Sequence, residues 1–122
     1  MNNLISSEIT EYWVHFQAGP TKNDLIFPRV RIKCYNDGKF ILQANFYPDK
    51  KRIPENYYST NSNLVYLHYP ISMYSDIIDI LRNEKPIYFT YSDPTTLGFI
   101  RTGKEPIGEG EIEAKEFELA IE

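Results

Sequence analysis

The residues able to do covalent or metal chemistry are few: one cysteine, Cys34, and two histidines, His15 and His68. A thiolate nucleophile needs a base beside it, and a metal needs several ligands at fixed spacing. The chain has no Cys-x-x-Cys and no His-Glu-x-x-His, and Cys34 shares alternate positions with Val30 and Ile32, so it reads as a small core residue. His15 and His68 each stand alone in an alternating apolar stretch, where a hydrogen-bonded structural imidazole competes with a base or ligand role. Asp76 and Asp79, three apart, suit the solvated face of a helix. Gly98-Phe99-Ile100-Arg101-Thr102-Gly103-Lys104 matches the first seven positions of a phosphate-binding loop. The eighth is Glu105, where Ser or Thr would hold magnesium. Pro106 follows, and the intervening residues alternate like a strand, so the context that gives this motif its chemistry is missing. The expectation is a protein that is not an enzyme, with no catalytic residue, no metal and no cofactor.

Binding chemistry is better represented. With the apolar members of three alternating stretches turned inward, Trp13, His15 and Gln17 point outward from the first, and Arg29, Arg31 and Lys33 from the second. The third presents Lys39, Ile41, Gln43, Asn45 and Tyr47, and Lys50, Lys51 and Arg52 lie just beyond its end. A face of cations, amides and flat rings suits single-stranded nucleic acid, because bases stack on rings while cations follow the phosphates. Trp13, Tyr47 and Tyr66 are the expected stacking residues; Arg29, Arg31, Lys33, Lys50, Lys51 and Arg52 are the expected phosphate contacts. A solvated sheet with cations guarding its edge, or a surface that meets another protein or a second copy, explains the same pattern.

These side chains need strands beneath them. Residues 11–17 alternate Tyr12, Val14 and Phe16 with polar or amphipathic neighbours, and 29–35 alternate Val30, Ile32 and Cys34 with cations. Asn36-Asp37-Gly38 signals a hairpin, since Asp and Gly tolerate the positive φ of a tight turn. The next strand, 39–47, turns Phe40, Leu42, Ala44 and Phe46 to one side. Residues 48–63, polar and carrying two prolines, read as a long loop. Leu64–Tyr69 is a fourth strand, and Ser72 can cap a helix over 73–83 whose Tyr74, Ile77, Ile78 and Leu81 follow the spacing of a buried face. Strands over 86–92 and 98–102 flank a turn at Asp93-Pro94-Thr95-Thr96. The fold class is α+β: four strands, one helix and two strands in an antiparallel sheet.

The bulk properties bound the function. At 122 residues, 42% hydrophobic and 15% aromatic, the chain is one domain with material for a core. No apolar run reaches the ~20 residues of a membrane span. The start lacks the pattern of a signal peptide, and one cysteine forbids an internal disulfide, so a cytoplasmic protein is expected. The formal charge is −4, which argues against a nucleic-acid binder, but it is unevenly spread. Residues 105–122 hold seven Glu and one Lys, a net of −6, and residues 1–104 hold twelve basic and ten acidic side chains, a net of +2. The division is a domain over 1–110 and an acidic tail over 111–122. That tail is a solubility device or a competitor for the basic face.

Leu81-Arg82-Asn83-Glu84-Lys85-Pro86 and Thr102-Gly103-Lys104-Glu105-Pro106-Ile107-Gly108-Glu109-Gly110-Glu111, together with the order of elements, resemble a small family of uncharacterised cyanobacterial proteins. The resemblance spans about residues 9–111. It implies the fold of single-stranded-DNA-binding transcriptional regulators, the Whirly and Pur-type proteins: four antiparallel strands and a helix, often paired as a helix-exchanged homodimer. A transcription-related role in binding single-stranded DNA or RNA is what that fold implies. The family carries no catalytic or established binding residues over to this sequence. The other expectation is a protein-interaction or assembly domain.

Overall fold

The computed structural model describes residues 4–19, 27–48, 52–104 and 107. Its most local feature is a hairpin of β3 (Val30–Asn36) and β4 (Lys39–Tyr47). Asp37 and Gly38 join them with φ of 48° and 85°, the left-handed pair whose twist matches that of the strands. The register runs from Asn36 opposite Lys39 to Val30 opposite Phe46, with one irregularity. Cys34 faces Leu42 but Tyr35 faces Phe40, so Ile41 is an extra residue on β4. Such a bulge reverses the alternation beyond it. Ile41 therefore enters the core, only 9% exposed. Phe40 turns outward beside Tyr35, ring centroids 5.3 Å apart. The uninterrupted alternation expected for residues 39–47 has Phe40 and Ile41 reversed, and Lys39, expected outward, lies on the same side as Ile41 and Asn36.

Around this hairpin, β2 (Glu11–Phe16) pairs antiparallel with β3, and β6 (Leu64–Pro70) lies along the other side of β4. A short β5 (Tyr57–Ser59), inside the stretch expected to be a loop, completes the five-stranded order β2-β3-β4-β6-β5. The β4–β6 pair is parallel, a departure from the all-antiparallel expectation. A second sheet holds β1 (Leu4–Ile9), β7 (Ile87–Ser92) and β8 (Leu97–Thr102) in the order β1-β7-β8, both pairs antiparallel. Only Thr10 separates β1 from β2, so the chain steps from one sheet to the other within a single residue. The class is α+β with largely antiparallel strands. The described residues hold six strands before the helix and two after it.

The two sheets and the helix share one core. Ile32, Leu42, Phe46 and Leu67 enter it from the five-stranded sheet, and Ile87, Phe89 and Tyr91 from the three-stranded one. Between them β6 and β8 come so close that a Cβ on Gly98 would overlap the Leu67 side chain. Asn56 fastens the same edge: its amide donates to the Thr96 carbonyl (3.0 Å) and its Oδ1 accepts the His68 N–H (2.7 Å). Pro70 ends β6, a 3-10 turn over Ile71–Met73 follows, and α1 runs Tyr74–Asn83. Ser72 lies within that turn and forms no cap; Met73 stands at the cap position with no side-chain bond. Ile77, Ile78 and Leu81 are buried as their spacing requires, and Tyr74 meets Phe46 edge-on at 5.5 Å. Asp76 and Asp79 are exposed. No described helix is long and apolar enough to cross a membrane.

Candidate binding face

The register of the five-stranded sheet decides which outward side chains stand in line. One row reads Trp13, Lys33, Gln43, Tyr66 and Tyr57, one residue from each strand. The next reads His15, Arg31, Asn45 and His68. Strands lie about 4.8 Å apart, so Trp13 and Tyr66 are about 14 Å apart across the sheet. The five strands contain one acidic residue, Glu11, whose carboxylate accepts the Gly38 N–H at 2.7 Å. Arg31 and Lys33 supply the opposite charge on this face; Lys39, past the bulge, lies on the other side with Asn36 and Ile41.

Each ring in the first row is held in place. The Trp13 indole N–H donates to the Tyr35 hydroxyl at 2.7 Å, and its ring centroid is 4.7 Å from that of His15. Lys33 Nζ sits 4.9 Å above the Trp13 ring and 5.6 Å from Phe40, a pair of cation–π contacts. At the other end Tyr57 and Tyr66 stack at 4.7 Å with planes 18° apart. Trp13 is 42% exposed and Tyr57 48%, so the row ends in open rings on both sides.

The second row is more tightly closed. The Tyr47 hydroxyl bonds His68 Nδ1 at 3.1 Å, and Gln43 donates to Asn45 Oδ1 at 2.9 Å. His68 Nε2 is buried and has no hydrogen-bond partner among the described residues. Burial holds the His68 pKa below its usual value, which favours the neutral ring. Burial also raises the Tyr47 phenol, an effect that the nearby Arg31 guanidinium partly offsets.

Of the nine residues singled out from the sequence, Trp13, Arg31, Lys33 and Tyr66 share this face. Tyr47 lies on it too, but at 5% exposure and hydrogen-bonded to His68 its ring offers no open surface. Arg29 extends the strand pairing, with its N–H on the Phe46 carbonyl (2.7 Å), and its Nη1 donates to the Gly19 carbonyl at 3.0 Å. Arg52 is exposed beyond the end of β4. Lys50, Lys51 and the tail from 111 lie outside the described residues. Tyr57 is the residue that sequence reasoning missed. Its signal is Tyr57-Tyr58-Ser59 followed by the polar turn to Asn63, whose φ is 54° and whose side chain accepts the Tyr58 hydroxyl at 2.9 Å.

Cys34 is fully buried, and burial pushes its thiol up to about 12, far from a thiolate at neutral pH. No group of three or more potential metal ligands occurs among the described residues. Residues 98–102 of the partial phosphate-loop match lie on β8, and Gly103 and Lys104 follow its end. No family model, curated protein or solved structure matches this chain.

Proposed function

We propose that this protein is a non-enzymatic binding module that holds single-stranded nucleic acid on the outer face of its five-stranded sheet. The observation that carries the reading is the row Trp13–Lys33–Gln43–Tyr66–Tyr57: open rings at both ends, a cation and an amide between them, on strands with one acidic residue. Base stacking on such rings contributes about 1–3 kcal/mol per base and tolerates any sequence. A base settling on Trp13 takes the position of the Lys33 ammonium, which is then free to reach a phosphate. Arg31, one row away, continues the cationic track. Among the described residues no helix offers the basic surface that a duplex groove requires; α1 exposes Asp76 and Asp79 beside Arg82. The flanking Lys50, Lys51 and Arg52 extend the phosphate contacts, and the acidic tail competes for the same face.

The test is titration with a labelled single-stranded oligonucleotide at several salt concentrations, followed by quenching of Trp13, the only tryptophan. Saturable quenching should weaken as salt rises. For single strands each phosphate contact contributes about 0.7 to the slope of log K against log salt, so Arg31→Gln with Lys33→Gln should reduce it by about 1.4. An unchanged slope removes these two cations from the contact.

A second reading, a protein-interaction or assembly domain, draws on the other sheet. There Leu4, Leu97 and Phe99 are all exposed on the outer side of β1 and β8. A homodimer closing over these side chains would remove apolar surface from water. Absence of oligonucleotide binding at low salt, where charge attraction is strongest, favours this second reading.

A further inference from the structure

At the β2 edge of the five-stranded sheet, the second row ends in a recess of about 110 Å³. His15, Gln17, Arg29 and Arg31 contribute its polar lining, and no carboxylate among the described residues lines it. That volume accommodates several waters or one small tetrahedral ion. The register explains why these four meet. His15 pairs with Arg31 across the β2–β3 ladder, and the Gln17 N–H donates to the Arg29 carbonyl at 2.8 Å, extending the ladder by one more pair. Arg29 and Arg31, two residues apart on one strand face, stand about 7 Å from each other. Residues bearing two guanidiniums, an imidazole and an amide thus line a space of limited size, beside Phe16, Ala18 and Pro28. The Gly19 carbonyl anchors the Arg29 head from the side.

The geometry points to an oxyanion subsite that seats one phosphate group. Guanidinium forks match the oxygens of a phosphate and bind them through charge-assisted hydrogen bonds. The imidazole and the Gln17 amide add shorter-reach donors. This subsite deepens the nucleic-acid reading and rests on it for the source of the phosphate. A phosphate fixed at this corner, with its neighbouring base on Trp13, sets where a strand begins on the platform. Trp13 lies against His15, so its fluorescence reports on the recess.

The experiment titrates the full chain with inorganic phosphate against chloride at constant ionic strength, read by amide and guanidinium NMR shifts and by Trp13 emission. Saturable shifts confined to His15, Gln17, Arg29 and Arg31 are expected. Arg29→Gln with Arg31→Gln should weaken phosphate binding about tenfold or more. Arg101→Gln, on the outer side of the other sheet, should leave it unchanged. Shifts that never saturate, or that are equally large at Arg101, overturn the subsite. The same variants are then titrated with a single-stranded oligonucleotide. Saturable phosphate binding without oligonucleotide binding keeps the subsite and removes the nucleic-acid reading. Oligonucleotide binding that survives both substitutions undiminished keeps that reading and overturns the subsite's part in seating the strand.

Discussion

The outer faces of the two sheets cover the same core and alternate on the same period, yet their exposed rings sit in different company. On the three-stranded sheet, Arg101 lies over Tyr88 with its guanidinium carbon 4.7 Å from the ring centroid, and Ser6 and Thr90 hydroxyls meet at 3.2 Å. Phe99 and Leu97 stand beyond them on an edge strand with no cation in their own rows. On the five-stranded sheet, Trp13, Tyr66 and Tyr57 share one row with Lys33, and the outermost rings stay open. A ring becomes a platform through its neighbours. It needs a partner that fixes its plane, exposure to solvent and a cation within a base's length. The five-stranded row sets a cation beside its rings, as the proposed platform requires, whereas on the three-stranded face Arg101 is held over Tyr88 and the rows of Leu97 and Phe99 have no cation.

The largest expected effect separates the two faces directly. Trp13→Ala combined with Tyr57→Ala should cost about 2–6 kcal/mol of oligonucleotide affinity for two lost stacking positions, measured by fluorescence anisotropy. Leu97→Ser combined with Phe99→Ser should leave the affinity unchanged. The reverse outcome would move the platform to the other sheet. A smaller effect probes where the sheets interlock. Gly98→Ala pushes a methyl group into Leu67 and should destabilise the fold by about 1–3 kcal/mol, seen as a lower urea midpoint. An unchanged midpoint would show that the β6–β8 contact yields freely. The smallest concerns the plane of one ring. Tyr35→Phe removes the acceptor of the Trp13 indole N–H and should lower oligonucleotide affinity about two- to tenfold at constant stability. Unchanged affinity would mean that Lys33 and His15 hold the indole by themselves.

Legibility in the sequence followed the range of the interactions. The β3–β4 hairpin was readable because Asp37 and Gly38 carry the turn's conformational demand in their own chemistry. The buried side of α1 was readable from the spacing of Ile77, Ile78 and Leu81. Strand β1 escaped notice because its core-facing positions are Ile5, Ser7 and Ile9, and the serine breaks the apolar alternation. Ser7 is accommodated by the Asn36 amide, which donates to its hydroxyl at 3.2 Å across 29 residues. Strand β5 escaped because three residues are too few to show a period. The bulge at Ile41 leaves no local mark, so alternation alone puts Lys39, Phe40 and Ile41 on the wrong sides.

Cationic and aromatic alternation over residues 11–17 and 29–35 is written in the chain itself. Once these segments are strands with an apolar inner side, Trp13, Arg31 and Lys33 must share the outer one, because alternation is a property of the extended backbone. The same argument buries Cys34. Which strand lies beside which is not local. The parallel β4–β6 pairing aligns Tyr66 with Gln43, and β5 then sets Tyr57 beside Tyr66, completing a row whose members are up to 53 residues apart. The pairing of Tyr47 with His68, which closes one expected stacking ring, has the same origin. Side-chain direction follows from the residue and its immediate neighbours, whereas the row and its open ends depend on long-range register, which only the packed sheet decides.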